Sequence, residues 1–421
     1  MKKLVFIVTA VSISWTALCQ SLPTDPNSPV TLESYLQVAA ANNAELKSSY
    51  EEWRIAMLSI PQARALPDPE MRYEYLARQS DMQMGQTVSV MQMFPWFGTI
   101  DARTEAAVKT AAAAQQGYRA AQLAVFKEVK ESFYEYQYLA GAIAIAQENL
   151  KLLEHFEQIA RAKYETATAT HPDVIRAQVE MAKMENVLNG LTPMRKPVMA
   201  KLNALMNRPV EADLPWPTNS ELSPASISRQ LIYAMVKTKN PQLSELDLTV
   251  AAAREKIKEA RKRFYPDVGM GVEWQQFDKS GDSSGRDAVA LMFQINLPLW
   301  RGSYRAGEQQ ARSMARMVSS QRTEKENTLL SQAEKVLYDL ENSDRQLRLY
   351  RDVLIPKTEE LLAASETAYQ AATVDFLTLI DAQRMLLEYK LEYQQAVRDY
   401  RQTLAELELL TGGTLPQLQQ N

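Results

Sequence analysis

The chain has 421 residues, with 47 Lys and Arg against 51 Asp and Glu, 13 glycines, 19 prolines and one cysteine. A formal charge of −4, about −6 once Lys2 and Lys3 leave with a signal peptide, provides no basic footprint for nucleic acid. One cysteine excludes a disulfide framework, and the abundance of Ala, Leu, Glu, Gln and Lys favours helix.

Residues 1–19 read as a signal peptide: Lys2 and Lys3, an apolar run from Leu4, then Ala17-Leu18-Cys19 as a small-x-small cleavage site, with Gln20 opening the mature chain. Cys19 carries a second reading, a lipid anchor at a new N-terminus, although Leu18 is a poor match to the small residue expected before it. Beyond the signal no run of about 18 apolar residues exists, which excludes a transmembrane helix. A transmembrane β-barrel stays open, because its strands are short and alternate.

Residues 20–30 are an extended, proline-punctuated lead-in, and residues 31–210 form a first unit. Thr31 is placed to cap a helix whose apolar stripe is Leu32, Tyr35, Leu36 and Ala39. A second helix runs from about Ala44 to Ala65, where Pro67-Asp68-Pro69 stops it. A hairpin follows over 70–94, with Met71, Tyr73 and Tyr75 on one face of its first strand and Arg72 and Glu74 on the other. Pro95 cannot donate to a sheet ladder and Gly98 frees the backbone to turn, so this stretch marks a sharp strand-to-helix junction. From 99 to 163 nothing interrupts the helical pattern, which predicts a rod of roughly 100 Å. Phe126, Val129, Phe133, Tyr136, Ala140, Ile143 and Leu150 make a 3-4 spaced, coiled-coil-like seam along it. A turn leads into a return helix over 173–206, interrupted near Pro193 and Pro197, and residues 211–224 link this unit to a second one.

Residues 225–415 repeat this order: helices, a hairpin over 268–297, a junction at Pro298 and Gly302, a long helix over 303–368 and a return helix over 376–410. Leu330, Ala333, Leu337, Leu340, Leu347 and Leu354 stand 204 positions after members of the first seam. Offsets between 197 and 205 along the whole chain indicate duplication. Residues 416–421 read as a disordered tail.

The hairpins are the membrane candidates. Val289, Leu291, Phe293, Ile295 and Leu297 alternate with Ala288, Ala290, Met292, Gln294 and Asn296 as apolar-out and polar-in, while Gln86 and Gln92 spoil the first copy. Two hairpins supply four strands, too few to close a membrane barrel, so oligomerisation is required, and three chains would supply twelve. The fold class predicted is mainly α with a small β part: a duplicated coiled-coil helical barrel whose four strands per chain join a trimeric twelve-stranded barrel.

The duplication, the export signal, the Pro-Asp before each hairpin, the Gln92-Met93-Phe94-Pro95-Trp96-Phe97-Gly98 junction and the paired Tyr-x-x-Ala tips resemble the TolC-like outer membrane efflux family. The resemblance covers residues 31 to about 415. It implies a homotrimer in the outer membrane of a Gram-negative bacterium, with twelve long helices forming a periplasmic tunnel that joins a periplasmic adaptor protein and an inner membrane pump. It also implies that the tips Tyr164–Asp173 and Tyr369–Asp381 close the tunnel and dock the adaptor, with Asp381 at the constriction. The family's tip glycines are Ala167 and Ala372 here, a latching basic residue is Val374, and a further aspartate is Thr378, close to Asp375. Three Asp381 carboxylates in a ring would favour cations; the other reading is an ordinary surface charge. The hairpins and the Pro-Trp-Phe-Gly junction resemble the heavy-metal branch.

No catalytic constellation is present, so neither enzyme activity nor a cofactor is expected. His155 and His171 are the only histidines and lack the partners of a zinc site. Met82, Met84, Met91 and Met93 allow a Cu(I) site or plain packing of flexible thioethers. The function the resemblance implies is an efflux exit duct, leaning to heavy-metal cations as cargo. The alternatives are a drug-export or type I secretion duct, and a non-transporting periplasmic coiled-coil scaffold or adhesin.

Overall fold

A computed structural model describes residues 31–76, 85–217, 228–277 and 287–414. The signal peptide, Cys19, the lead-in, Met82, Met84, both hairpin turns, the later part of the linker and the tail lie outside the described residues.

The elements run α1 (Leu32–Asn42), α2 (Ala44–Arg64), β1 (Glu70–Leu76), β2 (Gly85–Phe94), α3 (Thr99–Glu165), α4 (His171–Leu191) and α5 (Arg195–Leu205), then α6 (Arg229–Lys239), α7 (Pro241–Lys262), β3 (Val268–Phe277), β4 (Ala288–Ile295), α8 (Arg301–Leu349), α9 (Ile355–Gln370) and α10 (Phe376–Thr411). Each half is thus two helices, a hairpin, a long helix and a return.

The repeat is also chemical. Asn43 accepts the Leu46 N–H at 3.1 Å to start α2, while its amide donates to the Leu205 carbonyl at 2.8 Å and so fastens the end of the return helix. Asn240 does the same, accepting from Leu243 N–H at 3.3 Å and donating to Leu410 O at 2.9 Å. Thr31 occupies the start of α1 but makes no side-chain capping bond; instead the Ser34 hydroxyl turns back to the Thr31 carbonyl.

Helix α3 is 67 residues long, as its unbroken pattern predicts. Its covered line departs from the predicted seam: Val125 rather than Phe126 is buried, and beyond Tyr136 the buried positions are Leu139, Ala142, Ala146, Leu153, Phe156 and Ala160, rather than Ala140, Ile143 and Leu150. The reason is that α3 packs against α1, α2, α4, α5, α7 and α10 along its length, so no single stripe serves every neighbour. The second long helix is not one α-helix. A π-helical turn over Tyr350–Leu354 separates α8 from α9, and Pro356, which has no N–H to return to the preceding turn, is the second residue after it. The first return helix breaks as predicted, with a 3₁₀ turn over Thr192–Met194 between α4 and α5.

The start of the linker is anchored. Leu214 is fully buried, its carbonyl accepts from the Tyr136 hydroxyl at 2.9 Å, and Trp216 stacks on the Tyr136 ring at 4.7 Å.

The four strands form one antiparallel sheet in the order β1-β2-β3-β4. The two hairpins are joined in the middle by β2 and β3, paired over ten residues from Gly85↔Phe277 to Phe94↔Val268. Among the described residues, no strand lies beside the outer edges of β1 and β4.

Candidate functional site: the sheet and the helix tips

Residues paired across an antiparallel ladder face the same side. The register therefore assembles rows on one face: Tyr75, Gln86 and Gln276; Tyr73, Val88, Trp274 and Val289; Met71, Val90, Val272 and Leu291; Gln92, Met270 and Phe293; Phe94, Val268 and Ile295. The central rows are wholly apolar, and Leu291 and Phe293 are 74% and 72% exposed. Two residues that break the sequence alternation flank these central rows and are bonded there. Gln86 donates to Gln276 and accepts from the Tyr73 hydroxyl, while Gln92 donates to the Pro67 carbonyl at 2.8 Å. About 20 Å of strand separates them.

The opposite face is concave and polar, lined by Glu70, Arg72, Glu74, Thr87, Ser89, Met91, Glu273, Met292 and Gln294. Met91 and Met93 point to this side over Gly269 and Gly271. A side chain on Gly271 would meet the Val90 carbonyl at 2.6 Å, so the glycine permits the close approach that the methionines cover. That placement favours packing as their role.

The twin junctions differ. At the first, Gly98 takes φ +77° before α3, the Trp96 N–H donates to Asp267 at 2.9 Å, and the Trp96 ring stacks on Tyr265 at 5.0 Å. At the second, Gly302 lies inside the first turn of α8 with no left-handed torsion, because one extra residue separates it from Pro298 and the chain turns at Leu299–Trp300 instead.

At the far end of the molecule the two tips are built alike. Ala167 and Ala372 both occupy the left-handed region, at φ 56° and 57°. The following Thr168 and Thr373 N–H groups return to the Lys163 and Ala368 carbonyls at 2.8 and 2.9 Å. An L-residue pays ~1–2 kcal/mol for this conformation, which glycine does not. Ala167→Gly with Ala372→Gly is expected to slow amide exchange at Thr168 and Thr373 several-fold; unchanged or faster exchange would show that the alanines sit there without strain.

Capping chemistry is exchanged between the tips. Asp173 accepts the Thr170 N–H at 3.1 Å, whereas Asp375 accepts both the Thr378 N–H at 3.0 Å and its hydroxyl at 2.6 Å. The Thr378 bonds hold the Asp375 carboxyl below its ordinary value. These residues thus shape the tips as helix starts. Tyr369 is buried against Phe376 and beneath Lys163, and burial followed by the nearby Asp173 pushes its hydroxyl up to about 12. Tyr164 is exposed, and its ring lies tilted against His171 at 5.3 Å. His155 faces Glu366 at 3.2 Å.

Asp381 is exposed, but its carboxylate lies 3.3 Å from the Arg384 guanidinium. The same guanidinium spans to α4, donating to Glu180 at 2.6 and 3.3 Å, and Lys183 adds a further contact to Glu180 at 2.7 Å. Arg384 first, offset in part by burial, holds the Glu180 carboxyl below its ordinary value. Reading the sequence singled out Asp381 and missed this bridge. The i, i+3 spacing of Asp381 and Arg384 was available as a signal, while nothing local connects Arg384 with Glu180. Among the described residues no group of three or more His, Cys, Asp and Glu is arranged to hold a metal, and no helix is long and apolar enough to cross a membrane.

The signature of the family described as "Outer membrane efflux protein" matches residues 35–208 and 232–413. The cobalt-zinc-cadmium resistance protein CzcC of Cupriavidus metallidurans is 22% identical over 96% of this chain and 95% of its own length. The probable efflux pump outer membrane protein TtgC of Pseudomonas putida is also 22% identical, over 69% of this chain, and this chain spans only 60% of its length. Among solved structures, CusC, described for its transmembrane channel formation, superposes with a TM-score of 0.78 at 15% identity, over 91% of this chain and 92% of its own.

Proposed function

Because the chain belongs to the outer membrane efflux protein family, we propose that three copies form the exit duct of a tripartite system, joined through a periplasmic adaptor to an inner membrane pump, and that the cargo is heavy-metal cations. The sheet carries this reading: one face is apolar and exposed, and both edges are open among the described residues. Four strands cannot close around a pore, and a water-soluble scaffold would leave that face in water. Three sheets edge to edge give twelve strands, remove every edge and turn the apolar face to lipid and the polar face to the lumen. On this reading the helices reach through the periplasm, and the tips Tyr164–Asp173 and Tyr369–Asp381 seat the adaptor and close the duct.

Two observations support cations as cargo. The polar face brings Glu70, Glu74 and Glu273 together with one arginine, Arg72, so the barrel would be net acidic, which favours cations entering it. The relative matched along nearly its full length is a cobalt-zinc-cadmium resistance protein. In planar bilayers the purified protein should conduct and prefer K⁺ over Cl⁻, and the Glu70→Gln/Glu74→Gln/Glu273→Gln variant should lose at least half of that preference. Deleting the gene should sensitise cells to Co²⁺, Zn²⁺ or Cd²⁺. Sensitivity to solvents or antibiotics alone would reject the metal cargo and keep the duct; a non-conducting, water-soluble monomer would reject the duct.

A further inference from the structure

Where the second hairpin meets its helices, α7 and α8 carry a row of cations that the chain itself neutralises only in part. Arg254, Lys258 and Arg261 recur at i, i+4 and i+7 on α7, and Arg301, Arg305, Arg312 and Arg316 at i, i+4, i+11 and i+15 on α8, so each set lies along one side of its helix. Glu308 joins the two rows into one face, since Arg261 and Arg312 both reach it, at 2.9 and 2.7 Å. All seven side chains are exposed. Among the described residues their ion pairs are with Glu308 and Glu255 alone, which leaves five positive charges per chain.

Local helix chemistry runs against this charge. The first turn of a helix favours carboxylates and disfavours cations. Helix α3 obeys, with Asp101 in its first turn, whereas α8 has no acid there and begins with Arg301. The halves correspond with an offset of 197 positions from α2 to α7 (Asn43 to Asn240) and 204 from α3 to α8 (Gly98 to Gly302), so Arg305 stands in the place of Asp101. By the same offsets Arg254, Arg301 and Arg312 stand in the places of Met57, Phe97 and Val108. Those three are 47%, 84% and 36% exposed. Apolar side chains bare to solvent in the first half are therefore arginines in the second. One surrounding suits both kinds: the boundary of a bilayer, where apolar groups enter the acyl layer and cations stay with the phosphates.

The level agrees. Leu297, Leu299 and Trp300 extend the exposed apolar band below β4, and Arg301 follows directly. Arg305 lies four residues further, about 6 Å along the helix, close to the depth of a headgroup layer. Resting on the lipid reading of the sheet given above, we infer that this face binds anionic phospholipids of the periplasmic leaflet, with Arg301 and Arg305 on the headgroup phosphates. The other five cations lie deeper in the periplasm or beside these two and draw negative lipid toward the second half of each chain. An excess of positive charge selects lipids with a net negative headgroup over zwitterionic ones. Around a trimer three such faces alternate with three apolar ones formed by the first halves.

The lipid that the protein carries out of the membrane tests this face. After extraction in mild detergent, mass spectrometry gives the ratio of phosphatidylglycerol and cardiolipin to phosphatidylethanolamine bound to the protein. The wild type should hold the anionic lipids about fivefold enriched over the membrane it came from. Arg301→Gln with Arg305→Gln should bring the ratio close to that of the membrane, and Arg301→Lys with Arg305→Lys should keep most of the enrichment. Lys256→Gln with Arg263→Gln removes the same charge from the hollow on the other side of α7 and should change nothing. The unaltered protein should also lose its enrichment when exchanged into mixed lipid micelles at about 1 M salt, where the Debye length is about 3 Å. An unenriched wild type, enrichment that survives both the Gln pair and salt, or equal loss in the two Gln pairs overturns the lipid face; a conducting trimer would still keep the duct. Binding to isolated cell-wall sacculi that falls in the Arg301→Gln/Arg305→Gln variant, with lipid unchanged, assigns the face to cell-wall carboxylates and overturns it too. A water-soluble, lipid-free wild type overturns the duct itself.

Discussion

Leu291→Arg is expected to empty the outer membrane of assembled protein, whereas Ala290→Arg, one residue away, leaves it near the wild-type level. Leu291 lies in the row Met71, Val90, Val272 and Leu291, at the middle of the apolar band between the Gln86 and Gln92 rows. An arginine on the lipid face at the bilayer midplane costs ~2–4 kcal/mol. Threefold repetition raises this to ~6–12 kcal/mol per assembly, comparable with the whole stability of a typical domain. Ala290 points the other way and pairs with Glu273, so an arginine there enters the polar side opposite a carboxylate. Membrane fractionation followed by sizing in detergent distinguishes the two variants. Wild-type amounts of Leu291→Arg trimer, or equal loss of both, would remove the assignment of faces on which the barrel rests.

The sequence states its architecture well because the signals are local and said twice. Proline and glycine punctuate each strand-to-helix change, alternation marks the strands, and the offset between halves identifies Asn43 with Asn240 before any contact is known. It is less informative where one residue answers to several neighbours. The α3 seam shifts by a position beyond Tyr136 because α4 and α10 take over from earlier partners, and periodicity averages over that change. Gly302 shares its place with Gly98 but not its torsion, since a single inserted residue let the turn form at Leu299–Trp300. The tip residues were visible as a motif, yet their chemistry was not. Asp173 and Asp375 serve as caps, and the charge network around Asp381 is completed by Glu180 from another helix.

That network leads to the second large effect: Arg384→Ala is expected to raise the open probability of the reconstituted duct roughly 100-fold. Arg384 ties α10 to α4 through a two-pronged bond to Glu180, which is mostly shielded from solvent, and also approaches Asp381. Guanidinium–carboxylate forks are stronger than single surface pairs, but Arg384 is itself about half exposed, so ~1 kcal/mol per bridge is a discounted figure. Three bridges released together amount to ~3 kcal/mol, enough for about two orders of magnitude in a closed-to-open equilibrium. Glu180→Gln should behave similarly, while Asp381→Asn, which spares the bridge to α4, should stay within a few-fold of wild type. The pH response has a definite sign. In the bridge Glu180 holds its proton less tightly than its ordinary 4.5, so the tie is complete above that pH and is lost as the pH falls through the lower, bridged value. Lys183 pairs with Glu180 and acts in the same direction. Wild-type conductance should therefore climb only as the pH falls below the ordinary glutamate range, and Glu180→Gln, already untied, should not follow it. If Arg384→Ala conducts as the wild type does across this range, the bridge shapes the tip without holding it shut, and closure must be sought at the tip turns.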